Sequence, residues 1–461
     1  MPWDGGWRYP RHISGAVGSD ARKSHYRHNV EMADAASVPD SRDDAKTVTR
    51  TTHVLTTSWI VHWLGLFVYA LPLKLFLKNH FHLEAGQVAP LLFLAGFPFS
   101  IKPIFAWIGD SFPIGGLRRR PWTVVGGLLG ATFFLLLLLG IDDTRFYVAS
   151  LFVASIGYVF VSCSLGGLLV EFGSRNGVLG ALSSYRAAIN QGINVTVGPL
   201  AGYLASLWIG WTWCVCATCA IGNGLLVFGC ADRKYEPPTR KASGLILGQL
   251  RALFASRNYL FALVATMLIA IAPGFGTPLT FYQQDVLKLS ETQIGTLTMF
   301  NGIGGLTMGL LCVGLARRLS LGRLFLITVA LNAAGTLAYT QYTGFGRASI
   351  IEPIGGFVSA GTTVAIFSMA GHAIPRGVEG LGYSLLMAAN NLVLGFGDMF
   401  GSKLTSNYHV PFWQLVLLNS STTLLALAIL PFMPKTLKTI RDVAHLPPSE
   451  SKSQSGHIVD E

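Results

Sequence analysis

Nineteen consecutive residues, Thr123 to Ile141, read TVVGGLLGATFFLLLLLGI without a single charge. As a helix rising about 1.5 Å per residue, such a run nearly crosses the roughly 30 Å of a bilayer's hydrocarbon core. Comparable runs recur along the chain and are continuous rather than alternating, which predicts helices and not the strands of a barrel. Of the 461 residues, 51% are hydrophobic and 12% charged, more apolar surface than one soluble core can hide. The expected spans lie near 54–77, 88–109, 122–141, 146–170, 181–206, 211–231, 259–283, 292–316, 323–342, 349–373, 381–405 and 411–431.

The polar stretch 232–257, with ADRKYEPPTRKASG, suits a linker and divides these twelve spans six and six. The expected organisation is therefore an N-terminal tail (1–50), a six-helix bundle (51–231), the linker (232–257), a second bundle (258–432) and a C-terminal tail (433–461). Both tails are polar and read as disordered. Met32 opens MADAASVPDSRDDAKTVTR, an alternative start. Placing both termini in the cytoplasm puts Arg118–Arg120, Arg233, Lys234, Arg240, Lys241, Arg317, Arg318, Arg323, Lys435 and Lys438 inside, against Lys78, Arg145 and Lys403 outside. This bias gives the orientation of a multi-pass protein of a plasma (inner) membrane and accounts for much of the net charge of +11 without nucleic acid.

No Walker A loop, G-x-S-x-G elbow or H-E-x-x-H pair is present, so the sequence argues against an enzyme or an ATP-driven pump. The six cysteines lie in apolar segments, where a thiol acts as a small hydrophobe. Cys216 and Cys219 have C-x-x-C spacing but no partner pair, and neither metal nor cofactor is expected.

PFSIKPIFAWIGDSFPIGGLRRRPW, Pro98 to Trp122, places Lys102, Asp110 and Arg118–Arg120 between two apolar runs. AWIGDSFPIGGLRRR is similar to the G-x-L-x-D-R-x-G-R-R loop of major facilitator transporters, with Ala106 and Ser111 as departures. GLARRLSLGR, Gly314 to Arg323, is its degenerate counterpart after the eighth span. Three segments together resemble the folate–biopterin transporter family. They are the Lys102–Arg119 stretch, IPRGVEGLGYSLLMAANNL from Ile374 to Leu392, and FYQQDVLKLSETQIG from Phe281 to Gly295. The family's fourth helix usually carries D-V-x-x-D-A ahead of V-E. Here SCSLGGLLVE puts Ser162 and Gly166 where acids are expected and keeps Val170 and Glu171.

The resemblance implies an all-α membrane protein of the major facilitator fold, twelve helices in two bundles rocking around a central site. It implies secondary transport of a small organic solute, a pteridine or folate-like anion, coupled to a proton or Na+, by a monomer in lipid. The alternatives are another organic anion or a drug-like solute, and beyond transport a membrane receptor or polytopic enzyme.

An ionisable residue at membrane depth costs several kcal/mol unless paired or wet, so each is a candidate for function. Asp110, Arg118, Arg119, Arg120 and Glu379 form a cytoplasmic gate. Lys102, about 12 Å deeper than Asp110 along a helix, either joins an internal ion pair or meets a substrate anion. Arg186, Asn190 and Asn194 share a helical arc of about 80°, either lining the path or packing on the eighth span with Arg186 paired to Glu171. Asn391 and Asp398 share a face, and Asp398, read as the one deep acid of the second half, is the candidate proton or cation site. His62 is either packed or a proton carrier. Pro273, Gly274, Gly276 and Pro278 should break the seventh span, leaving Thr280, Tyr282, Gln283 and Gln284 to meet a heterocycle.

Overall fold

The computed structural model describes residues 43–232, 242–375 and 378–439. The chain forms two units, Met1–Asp44 and Ala45–Glu461, and every helix below belongs to the second. Met32 and most of both tails lie outside the described residues.

The first half begins with α1 (Ala45–Phe67), continued by α2 (Ala70–Phe81). α3 (Ala85–Gly96) passes through a 3-10 turn, Phe97–Ile101, into α4 (Lys102–Ser111). Pro98 and Pro103 open the turn and α4, positions that need no helical N–H. Next come α5 (Arg120–Leu136), α6 (Thr144–Asn176), α7 (Leu179–Ala205) and α8 (Gly210–Leu226). Caps set several ends. The Asp143 side chain accepts from the Arg145 N–H at the start of α6, and Gly177 closes that helix at φ 70°.

The second half runs α9 (Ala242–Ala255), α10 (Arg257–Ala270), α11 (Gly276–Asp285), α12 (Glu291–Arg318), α13 (Leu321–Thr336), α14 (Phe345–Ala373), α15 (Glu379–Asn407), α16 (Phe412–Leu425) and the short α17 (Lys435–Thr439). Nine stretches among the described residues are long and apolar enough to span a membrane, ten if α9 and α10, bent by 81°, are one. α7 and α15, of 27 and 29 residues, stand where the fifth and eleventh spans are expected, and α10 with α11 stands at the seventh.

Three boundaries differ from expectation. α1 starts at Ala45, so 45–50 is helix and not tail. The linker contains α9, whose Leu253 is buried beside Tyr259 and Val378 while Leu247 is exposed, an amphipathic helix rather than a loop. Leu437, assigned to the C-terminal tail, is wholly buried with Leu321 and Phe325.

Each half has its own core. Phe134, Tyr158 and Trp213 pack together in the first, and Phe325, Ala262 and Met369 in the second. The halves meet most closely along α7 and α12, where a Cβ on Gly198 would stand 2.6 Å from the Gly295 carbonyl and one on Gly202 2.7 Å from that of Glu291. Only glycine permits that approach. The linker face carries Arg118–Arg120 and Asp232, and the far face carries the α2–α3 and α15–α16 turns.

Candidate functional site

The expected residues His62, Lys102 and Arg186 converge in the first half. His62 is fully buried, its ring 5.5–5.6 Å from those of Trp59, Trp63 and Tyr158, and neither ring nitrogen has a hydrogen-bond partner among the described residues. It lies within electrostatic range of both Lys102 and Arg186. The Lys102 ammonium donates to Ser162 Oγ at 2.7 Å, and the Arg186 guanidinium lies 4.5 Å from the centre of a Trp59 ring. Among the described residues neither cation is paired with a carboxylate.

Of the two alternatives for Arg186, pairing with Glu171 is not seen among the described residues. Glu171 accepts instead from Arg119, at 3.1 Å from Nε and 2.8 Å from Nη2. Arg119 also meets Asp110 at 2.6 Å, and Arg118 meets the same carboxylate oxygen at 3.0 Å. Arg119 can reach both acids because it precedes α5 and folds over Gly167, where any side chain would collide with its guanidinium. The backbone N–H of Arg120 donates to Asp232 at 3.0 Å. Asp110, Arg118 and Arg119 thus form one ion-pair group with Glu171, and among the described residues Arg120 is tied nearby only through its backbone. The Glu379 side chain lies outside the described ones.

Asn194 packs against α12, where Gly302 leaves room for it, and Asn190 is half-buried a turn away. Asn391 donates to the Phe99 carbonyl at 3.4 Å, joining α15 to the turn before α4.

The seventh span breaks as Pro273, Gly274, Gly276 and Pro278 predict, between α10 and α11. The break is held by the last two spans. The Gly274 N–H donates to the Gly397 carbonyl at 2.8 Å, and Asn419 donates to the Pro273 carbonyl at 2.8 Å. Asp398 accepts from the Thr277 N–H at 2.9 Å and the Thr277 hydroxyl at 2.6 Å, so its carboxylate caps the exposed first turn of α11. Lys74 on α2 lies within electrostatic range of Asp398 across the halves. The sequence reading missed Lys74, although a lysine between Leu73 and Leu75 in a span is itself a signal.

Tyr282, Gln283 and Gln284 do not sit at the break. They follow Gly276 by six to eight residues, about 9 to 12 Å along α11, which puts them toward the far face. Tyr282 stacks on Phe412, Gln284 accepts from Lys78 at 2.6 Å, and Lys78 also pairs with Asp285. Thr280 is buried and turns its hydroxyl back to the Gly276 carbonyl. Lys78 thereby joins the halves, and the Gly86 N–H bonded to Ser406 Oγ at 2.8 Å adds a second tie. Beside these ties a cavity of about 830 Å³ is lined by Lys78, Glu84, Phe281, Tyr282, Tyr339 and Trp413, among others.

Asp398 is not the only deep acid of the second half. Glu352 on α14 is 5% exposed. It accepts from Tyr342 at 2.8 Å, Tyr339 at 3.0 Å and Asn301 at 3.0 Å, and Gln283 donates to the Tyr342 hydroxyl at 2.6 Å. Glu352 falls near the start of its expected span, where an acid passes for a boundary residue, and its partners come from two other segments, the turn before α14 and α12.

Residues 65–208 match the BT1 family model. Over 413 residues, 81% of this chain and 79% of the relative, the sequence is 24% identical to a folate-biopterin transporter of Synechocystis. Over 356 residues, 72% of this chain and 68% of the relative, it is 22% identical to folate transporter 1 of Plasmodium falciparum. Among solved structures, a POT family transporter superimposes with TM-score 0.70 at 13% identity over 84% of this chain and 97% of its own. A D-xylose-proton symporter superimposes with TM-score 0.67 at 14% identity over 86% and 100%. These are all transporters. Relatives and architecture converge on one description, a helical membrane transporter of the major facilitator fold that is similar over residues 65–208 to the BT1 family.

Proposed function

We propose that this secondary transporter carries a small organic anion with a flat ring, of the pteridine or folate kind, by alternating access. One observation carries the reading. Lys102 and Arg186 lie within the membrane-spanning half without a carboxylate partner among the described residues, and Lys102 spends its charge on the neutral Ser162. Two such cations offer an anionic heterocycle counter-charge, and the half-buried Trp63 on α1 offers a ring to stack on. The names of the Synechocystis and Plasmodium relatives support the same substrate class.

The mechanism follows from the ties between halves. In the described conformation the far face is drawn together by Lys78 with Gln284 and Asp285 and by Gly86 with Ser406. Rocking the halves would release these ties and form others at the linker face, where Asp110, Arg118 and Arg119 are gathered. Twelve spans in two bundles, both termini and the linker in the cytoplasm, the plasma membrane, the monomeric state and a coupling cation belong to this proposal. We assign Asp398 to holding the break between α10 and α11, because both of its oxygens are engaged by Thr277.

A ligand that binds only the folded protein raises its melting temperature by mass action. Purified protein is therefore screened with folic acid, biopterin and unrelated organic anions. Stabilisation by the pteridines, lost in Lys102→Gln and Arg186→Gln, supports the reading, and equal stabilisation by all anions or by none removes the substrate assignment. A tag at the linker that intact cells expose to the outside would reverse the orientation.

A further inference from the structure

Glu352 is the buried charge that the central site leaves unused. No cation approaches its carboxylate among the described residues; its partners are two phenols and an amide. Burying an acid in a membrane span without a counter-ion is costly and marks proton and ion pathways. Its surroundings divide into a fixed side and a movable side. On the fixed side α14 and α12 interlock. Gly304 admits the Pro353 carbonyl and Gly356 that of Asn301, each so close that a Cβ would collide with it.

On the movable side are Tyr339 and Tyr342, in the turn before α14, and Gln283 on α11. One residue beyond Gln283 begins the far gate, where Gln284 and Asp285 hold Lys78 of the other half. Tyr339 also lines the far cavity, so hydrogen bonds link the wall of that cavity to the carboxyl and, through Tyr342, to Gln283, the chain neighbour of the gate residue Gln284.

We propose that Glu352 is the proton-binding site of this transporter, and that its protonation loosens the far gate through Tyr342, Gln283 and α11. The inference rests on the reading of the chain as a secondary transporter and names its coupling ion. The step balances simply. A hydronium ion in the far cavity gives its proton to a Glu352 carboxylate oxygen, leaving water and a carboxyl O–H. That oxygen gains a proton to donate and becomes a weaker acceptor, so a phenol that donated to it is held less tightly. If Tyr342 turns, its contact with Gln283 is lost, and the end of α11 that carries Gln284 and Asp285 is freed. The released gate then opens to the far side while the proton is held.

Other titratable groups face this region and must be separated from Glu352. Tyr339 and Tyr342 are its own partners. Asp285 lies on α11, Glu291 at the start of α12, Arg347 in the first turn of α14, and Glu84, His82 and His409 line the far cavity. All of them remain in a Glu352→Gln variant.

The test measures gate opening without any substrate. Spin labels are placed at Asn79→Cys and Tyr408→Cys, exposed positions at the far ends of α2 and α15, with Cys163 and Cys214 replaced by Ser. Distances are recorded in nanodiscs at pH 8 and pH 5.5. The expected result is a longer-distance population that grows severalfold at pH 5.5 in the otherwise native protein. In Glu352→Gln, which mimics the protonated acid, that population should be present at both pH values. Tyr342→Phe, which keeps the acid but cuts the link to Gln283, should also be open at pH 8, and it decides the matter if Glu352→Gln does not fold.

No pH response in the native protein, a native-like response in Glu352→Gln, or a Tyr342→Phe protein that stays closed at pH 8 overturns the proposal. Folic acid stabilisation is measured on the same samples. Its failure removes the substrate reading and leaves the distances to judge the proton site, whereas stabilisation with pH-independent distances removes the proton site alone.

Discussion

Lys102 donates its hydrogen bond to the neutral Ser162, 2.7 Å away on α6. An acid at 162 would neutralise the lysine, and a serine satisfies one of its three N–H groups while leaving the charge for a ligand.

Ser162→Asp should therefore weaken pteridine binding. Loss of one charge-assisted hydrogen bond, about 1.5–3 kcal/mol, corresponds to roughly 10- to 100-fold in affinity. Titration of folic acid followed by melting temperature checks this, and unchanged affinity would mean that Lys102 does not meet the anion.

The Lys78–Asp285 pair should bias the two facing states only modestly. Asp285 is half exposed, and such pairs are worth about 0–1 kcal/mol, so Asp285→Asn should raise the far-open population by up to about fivefold. Exchanging the charges, Lys78→Asp with Asp285→Lys, should restore the native distribution in spin-label distances.

Asp398→Asn should keep both proton-driven accumulation and exchange, because an amide oxygen still caps Thr277 and its N–H₂ can donate to the Thr277 hydroxyl. Asp398→Ala loses the cap and should lower stability by about 1 kcal/mol. Loss of accumulation in a folded Asp398→Asn protein, with exchange intact, would make Asp398 the proton carrier instead.

Gly401 faces the Gly274 carbonyl so closely that any side chain must push the break away from α15. Gly401→Ala should cost about 1–3 kcal/mol, the range for overpacking, and appear as a lowered melting temperature. Gly380→Ala, with open space at its Cβ position, serves as the control.

The helical, membrane-spanning character of the chain and the break at Pro273–Pro278 were legible because each depends on local composition. The Asp110–Arg119 grouping was legible because its members lie within ten residues. Arg119 bonding to Glu171 was not, since the choice between Arg119 and Arg186 depends on how α5 and α7 stand against α6. Glu352 and Lys74 were missed for a related reason. What marks them is the company they keep, Tyr339, Tyr342 and Asn301 for one and Asp398 for the other, and no spacing rule links those positions.

If the halves rock as proposed, the glycine contact between α7 and α12 is their fulcrum, and it is not central. Gly198 stands about 10 Å from the far end of α7 and about 28 Å from the other. For rigid halves turning about that point, the same rotation sweeps nearly three times as wide an arc at the linker face as at the far face. The far doorway is then the narrower of the two, and the girth of a solute is tested on that side whichever way it travels.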